Sequence, residues 1–167
     1  MGMESLSRGA ASCVFIEGDG DVHECLKYNV ETIASESRSI CWRTDVRRTS
    51  FRPNGGDDCL PYTLIFFDPP YADVGQLLPG KPLSLSMKRL ARDTISAPTA
   101  SLILRTPVRT DIEEISGWYV DERWDISSMI VWRMRKIGNE PAEESEGEDE
   151  EVDEDEEVDI QESVDES

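Results

Sequence analysis

The sequence predicts an α/β protein in which helices alternate with apolar strands. Residues 62–68, YTLIFFD, are apolar without alternation, as in a central parallel strand covered on both faces. Residues 18–37 place Val22, Leu26 and Val30 at helical spacing. The closing segments GWYVDERWD and SSMIVWRMRK have the composition of two strands with a tight connection, which predicts an antiparallel hairpin at one side of the sheet.

The order of elements along the chain follows from these patterns. The first segment predicts a helix that Gly9 ends, and residues 50–61 have the composition of a loop. In the third helix, Leu85, Leu90 and Ile95 are expected to face the core. We expect helices over 1–11, 18–37 and 84–96, and strands over 12–17, 39–45, 62–68 and 100–106, followed by the hairpin.

Charge divides the chain into two parts. The net charge is −19, and 17 of the 36 acidic residues lie in 140–167, which contains no Lys or Arg. So dense a run of like charge cannot bury apolar surface, so residues 140–167 are predicted to be a disordered acidic tail after an α/β domain over 1–139. The tail either solvates the chain or mimics RNA and competes for the basic residues of the domain.

Cysteine and histidine usage does not indicate a metal site. The four cysteines show no C-x-x-C spacing and His23 is the single histidine, expected on the surface of its helix. We therefore expect free thiols in a reducing compartment. No run suits a membrane span or a leader peptide, which favours a cytoplasmic protein without a membrane partner.

Three predicted strands end at or just before an acidic residue: Glu17, Asp45 and Asp68. In open α/β sheets, ligands bind outside the carboxyl ends of the strands. If the strands are parallel, the three carboxylates gather at one edge and form a candidate site. The alternative is that each acid caps the segment that follows it.

The most specific signal is Asp68-Pro69-Pro70-Tyr71 at the end of the strongest strand. Two prolines force a stiff extended exit, so the carbonyls there are expected to stay out of a following helix and to accept hydrogen bonds. Asp68 adds a side-chain acceptor, and Tyr71 adds a flat face for stacking. Rigid acceptors beside an aromatic ring suit an exocyclic amino group of a nucleobase, with catalysis by positioning and electrostatics. The alternative is a strand-ending turn with an exposed tyrosine.

The motif DPPY resembles that of amino-group methyltransferases that use S-adenosylmethionine. The stretch SLSRGAASCVFIEGDGDVHECLKYNVETI is similar to the one after the glycine loop in bacterial 16S rRNA guanine-N2 methyltransferases, and the closing strands are similar more weakly. The resemblance covers roughly residues 2–134. It implies a Rossmann-like methyltransferase sheet, mostly parallel with a closing antiparallel hairpin.

The resemblance also implies roles for the site residues. Glu17 would bind the ribose hydroxyls of S-adenosylmethionine, and Asp45 would lie by its adenine amino group. Asp68, Pro69, Pro70 and Tyr71 would hold the target guanine, turned out of its stack, for methyl transfer to N2 without a metal. The implied partner is rRNA or the small ribosomal subunit, and a monomer is expected. The alternatives are a DNA amino-methyltransferase and a catalytically inactive fragment that binds RNA or a partner protein.

The sequence departs from the family at its start. In the family, a first strand and a glycine loop precede the helix that contains SLSRGA, and here the chain begins inside or just after that loop. We therefore expect a central strand to be missing and the neighbouring edges to be unpaired. A start codon assigned too late and a true fragment are the two explanations.

Two basic clusters are candidates for phosphate contact, although such clusters are also common as solvated faces. A separate group of three aromatic residues is expected to pack in the core of the closing sheet and not to stack on bases. The basic clusters are Arg43, Arg47, Arg48 and Arg52, then Lys88, Arg89 and Arg92; the aromatic group is Trp118, Tyr119 and Trp124.

Overall fold

The computed structural model describes residues 1–33, 38–112 and 114–138. The predicted acidic tail over 140–167, and residues 34–37 of the second predicted helix, lie outside the described residues. The helices are α1 (Gly2–Ser7), α2 (Gly20–Ile33) and α3 (Pro82–Leu90). Short 3-10 helices cover Asp57–Cys59 and Tyr71–Leu77, the second in a segment predicted to be loop.

The strands form two sheets in the described part of the chain. Strands β1 and β2 pair in parallel, and the other five are ordered β3-β4-β7-β6-β5. Strands β3 and β4 are parallel, whereas β7 is antiparallel to β4 and β6, and β5 to β6. The α/β class and the closing antiparallel hairpin are therefore confirmed. The strands are β1 (Cys13–Glu17), β2 (Ser39–Arg43), β3 (Tyr62–Phe67), β4 (Ser96–Pro107), β5 (Glu114–Ile115), β6 (Trp118–Ile126) and β7 (Met129–Lys136).

No hydrogen-bond ladder joins the two sheets within the described ranges. Within the described ranges, β1 pairs with β2 alone and β3 with β4 alone, so each strand keeps one unpaired edge. The expected unpaired edges are thus present. Ile16 of β1 nevertheless packs against the core of the larger sheet, so the two sheets share apolar contacts without sharing a hydrogen-bond ladder.

Helix α3 covers one face of the larger sheet. It begins with Pro82, whose fixed φ suits the first helical position. Met87 and Leu90 are buried against Leu102 and Leu104 of β4 in one apolar cluster. The prediction that Leu85 faces this core is wrong, because its side chain is 44% exposed; helical spacing places it on the solvent side.

Two buried tryptophans extend the core into the closing hairpin. The indole N–H of Trp118 donates to the carbonyl of Met87 at 3.0 Å, which fastens β6 to α3. The indole of Trp132 donates to Thr106 Oγ1 at 2.8 Å. Each indole N–H therefore has a hydrogen-bond acceptor, while the ring buries a large apolar surface. The packing prediction is confirmed for Trp118 and wrong for Trp124, which is exposed.

The other face of the larger sheet carries exposed apolar side chains. Strand register places Leu64, Phe66, Trp124 and Ile126 on this face, since their partners alternate with those that contact α3. All four side chains are exposed. The sheet thus has one closed face, packed on α3, and one open face.

Helix α2, which carries the histidine, packs on the small sheet, and that sheet contains Cys13 and Cys41. His23 is buried, with Nε2 3.3 Å from the carbonyl oxygen of Cys41, so its predicted surface position is wrong. The helical face that bears it packs onto β2. All four cysteines are unpaired, and burial raises the pKa of the Cys13 thiol to about 11. Among the described residues, no three His, Cys, Asp or Glu side chains are grouped to hold a metal ion.

Truncation of two leucines on α3 tests the core. Leu90 is 3% exposed, so Leu90→Ala should lower the free energy of unfolding by about 2–5 kcal/mol, from lost burial and the cavity left behind. Leu85→Ala is the matched control and should change it by less than about 0.5 kcal/mol. Urea titration followed by tryptophan fluorescence measures both. Equal losses at the two positions would contradict the orientation of α3.

Candidate functional site

Asp68 stands directly after β3, where the sequence predicted it. Pro70 follows with φ −52° and ψ 141°, an extended conformation that proline favours. Tyr71 then begins the 3-10 helix, and its side chain is 46% exposed. The Pro70 carbonyl accepts the N–H of Asp73 at 2.8 Å. The prediction that the carbonyls here stay out of a following helix is therefore wrong at Pro70.

The Asp68 carboxylate is held by a residue that sequence reasoning did not single out. Arg105 of β4 donates from Nε to Oδ1 at 2.8 Å and from Nη2 to Oδ2 at 2.7 Å. The parallel register pairs Phe67 with Leu104, so the next residues along, Asp68 and Arg105, are neighbours. The sequence feature that could have pointed to this residue is an arginine directly after the apolar run SLIL, near the end of a strand parallel to β3.

Glu17 ends β1 at the carboxyl edge of the small sheet. Its Oε1 accepts the N–H of Asp19 at 2.8 Å, and its backbone carbonyl accepts the N–H of Thr44 at 3.0 Å. Within the described ranges, Oε2 has no hydrogen-bond partner. Gly20 follows, and a Cβ there would lie 2.7 Å from a guanidinium nitrogen of Arg43. The Arg43 side chain thus lies against the start of α2, while Oε2 of Glu17 is open to a further donor among the described residues.

Asp45 lies two residues beyond β2 and is engaged locally. Its Oδ1 accepts the backbone N–H of Arg47 at 2.9 Å, and the Arg47 Nε lies 3.0 Å and 3.3 Å from its two oxygens. These bonds lower the pKa of the Asp45 carboxyl. The arrangement fits the alternative that this acid caps the turn after the strand. Contact with an adenine stays a prediction, and it would require the pair to open or to share an oxygen.

The structure brings the ends of β2 and β3 to one side of the molecule. Ser86 donates its hydroxyl to the Val46 carbonyl at 3.0 Å, and Arg89 donates to the Arg47 carbonyl at 2.8 Å, so α3 holds the loop after β2. Asp45, and more weakly Asp73 of the helix after DPPY, raise the pKa of Arg47. The charge of Asp73 therefore acts on Arg47, and the segments after Asp45 and after Tyr71 both lie beside α3.

The two basic clusters contain residues on or beside α3, and their members make different contacts. Arg89 is tied to the loop after β2, and burial lowers the pKa of its guanidinium. Arg52 donates to the Thr94 carbonyl at 3.2 Å. Arg52 and Arg92 line an open depression of about 470 Å³. Thr94 precedes β4, so this depression lies at the amino end of β4, away from Asp68.

A membrane-spanning helix does not occur among the described residues, since none is both long and apolar enough.

Solved structures share this fold at low sequence identity. A candidate methylase from Haemophilus influenzae superposes with a TM-score of 0.62 and 18% identity, covering 81% of this chain and 78% of its own. A candidate methyltransferase from Escherichia coli gives 0.60 and 20%, covering 81% and 68%. A conserved hypothetical protein from Streptococcus pyogenes gives 0.61 and 18%, covering 82% and 79%. The chain therefore shares the fold of these proteins, and the predicted Rossmann-like fold is confirmed.

The sequence itself places the chain in a family. No protein with a curated description matches it. The family model described as conserved hypothetical protein 95 matches residues 1–130, which is most of the 167-residue chain. The chain belongs to the conserved hypothetical protein 95 family.

Proposed function

We propose that this chain transfers a methyl group from S-adenosylmethionine to the N2 amino group of a guanine in 16S rRNA. The observation that carries the proposal is the Asp68 carboxylate, fixed at the carboxyl end of β3 beside Pro69, Pro70 and the exposed Tyr71. A fold shared with a candidate methylase and a candidate methyltransferase supports the reaction class. The resemblance to guanine-N2 methyltransferases around SLSRGA and DPPY supports the substrate.

The end of β1 fits the cofactor's ribose. Glu17 offers Oε2 as an acceptor without a partner in the described ranges, and two hydroxyls suit a carboxylate that can accept from both oxygens. Asp45 fits less well, because Arg47 already bonds both of its oxygens. When bound, S-adenosylmethionine would supply an activated methyl group on a sulfonium, with S-adenosylhomocysteine as the leaving group and the surplus proton of N2 passing to water. Glu17 would fix the ribose end of the cofactor at the edge of the small sheet.

The segment after β3 would hold the acceptor base. Asp68 would accept an N2–H hydrogen bond and stabilise the positive charge that develops on N2 as the methyl group arrives. Tyr71 would stack on the purine, because its ring is exposed beside the carboxylate. A guanine can reach this position only when it is turned out of its stack. The contribution of the protein is then positioning and electrostatics, which needs no covalent intermediate.

The depression lined by Arg52 and Arg92 would contact the RNA backbone. Both residues carry a guanidinium at the amino end of β4. Phosphate contacts of this kind bind without sequence preference and weaken as salt rises. They would anchor the rRNA at one edge of the sheet while the guanine enters at the other.

Substitution of Asp68 tests the acceptor site. Asp68→Ala should lower the rate of methyl transfer by at least about 100-fold, because it removes the acceptor aimed at the amino group. Its circular dichroism spectrum should be unchanged, since the side chain is partly exposed. The control is Asp58→Ala, which removes an exposed carboxylate in the short 3-10 helix before β3. Incorporation of a labelled methyl group into unmodified 16S rRNA measures both variants.

The same assay separates the alternatives. Transfer to DNA instead of rRNA would assign the chain to the DNA amino-methyltransferases. Binding of rRNA without transfer by the unaltered chain would indicate a non-catalytic RNA-binding protein. An Asp68→Ala variant that transfers as fast as Asp58→Ala would remove Asp68 from the site.

Substitution of Glu17 tests the cofactor site. Glu17→Gln keeps the shape of the side chain but removes its charge, so the Kd for S-adenosylmethionine should rise about 10- to 100-fold, the range for a lost charge-assisted hydrogen bond. Isothermal titration calorimetry measures the Kd. Glu24→Gln is the control, because it makes the same carboxylate-to-carboxamide change at an exposed position on α2. It should leave the Kd for S-adenosylmethionine within about twofold. Equal affinities for the two variants would contradict the assignment of Glu17.

A further inference from the structure

The Arg105–Asp68 pair has a geometry more specific than stability requires. Two N–H groups of one guanidinium meet the two oxygens of one carboxylate, at 2.8 Å and 2.7 Å. The side chains are 43% and 29% exposed. Ion pairs this accessible to water contribute only about 0–1 kcal/mol to folding. A bidentate pair does, however, fix the plane of the carboxylate, because both contacts must be satisfied together.

The pair completes a set of constraints on a single residue. The β3–β4 register fixes where the Asp68 backbone leaves the sheet, since Phe67 is opposite Leu104. Pro69 and Pro70 then restrict the backbone that follows. Arg105 restricts the remaining freedom, which is rotation of the side chain. A carboxylate oxygen has more than one acceptor position, so each oxygen can still accept an N–H after Arg105 has bound.

We propose that Arg105 is a positioning residue that holds the Asp68 carboxylate in the orientation that receives the amino group of the methyl acceptor. The inference rests on the proposed function and deepens it. Arg105 itself does not touch the base; it selects which acceptor positions of Asp68 face the substrate. Without it, Asp68 would rotate among orientations, most of which present no oxygen to the amino group.

The chain offers a matched control for this test. Arg123 makes the same bidentate contact with Asp125, at 3.0 Å and 2.8 Å, and its side chain is 45% exposed. It lies on β6, at the far side of β7 from β4. Arg105→Met and Arg123→Met therefore each remove one bidentate pair, and only the first pair involves the candidate site. Arg123 also lies 5.1 Å from the centroid of the Trp132 ring, where the methionine side chain can still pack.

The experiment compares steady-state methyl transfer to 16S rRNA by the full chain and its variants. Arg105→Met should lower kcat about 10- to 100-fold, the loss expected when a reacting group is misplaced by about 1 Å. Arg123→Met should stay within about twofold. The Kd for S-adenosylmethionine and the unfolding midpoint should be the same for both variants. Arg105→Lys keeps the positive charge but loses the two parallel N–H donors of the guanidinium, so its kcat should be intermediate.

The double variant separates positioning from an independent role. If Arg105 acts through Asp68, Arg105→Met should cost nothing further in an Asp68→Ala background. A second full loss in that background would overturn the proposal, as would a kcat for Arg105→Met equal to that for Arg123→Met. Failure of the proposed function gives a different result, because the unaltered chain would then transfer no methyl group and the inference would fall with it.

Discussion

The parallel pairing of β3 with β4 is the constraint on which the rest of the structure depends. Phe67 and Leu104 are partners in that register, and both side chains are buried under α3. Because side chains alternate along a strand, the next residues, Asp68 and Arg105, emerge together on the opposite face. A slip of one residue would expose the apolar partners and separate the charged ones. Core packing therefore positions the candidate site.

Helix α3 connects the larger sheet to the loop that follows the smaller one. Its inner face is apolar and packs on β4 and β7, while Ser86 and Arg89 bind the carbonyls of Val46 and Arg47. The loop after β2 is thereby held on α3, although β1 and β3 share no ladder. The two proposed halves of the site, Glu17 for the cofactor and Asp68 for the base, are thus joined through a helix and apolar contacts.

Sequence patterns predicted most of the strands and the places of Glu17 and Asp68 at strand ends, because an apolar run closed by an acid is a local signal. They did not predict β5, and the helix expected over 84–96 ends at Leu90, with β4 beginning at Ser96. They did not predict Arg105, because its role depends on the register between two strands far apart in the chain. The same reason explains the errors at Leu85, His23 and Trp124, whose burial depends on which face another element covers. The Pro70 carbonyl was missed because the short helix after Tyr71 has no periodic signal.

The identity of the modified nucleoside tests the central claim most directly. Unmodified 16S rRNA would be incubated with the chain and S-adenosylmethionine, digested to nucleosides and analysed by mass spectrometry. The account predicts one new product, guanosine methylated at N2, that depends on the cofactor. A methyl group on adenosine or cytidine, or no methylated nucleoside while the chain is folded, would contradict it.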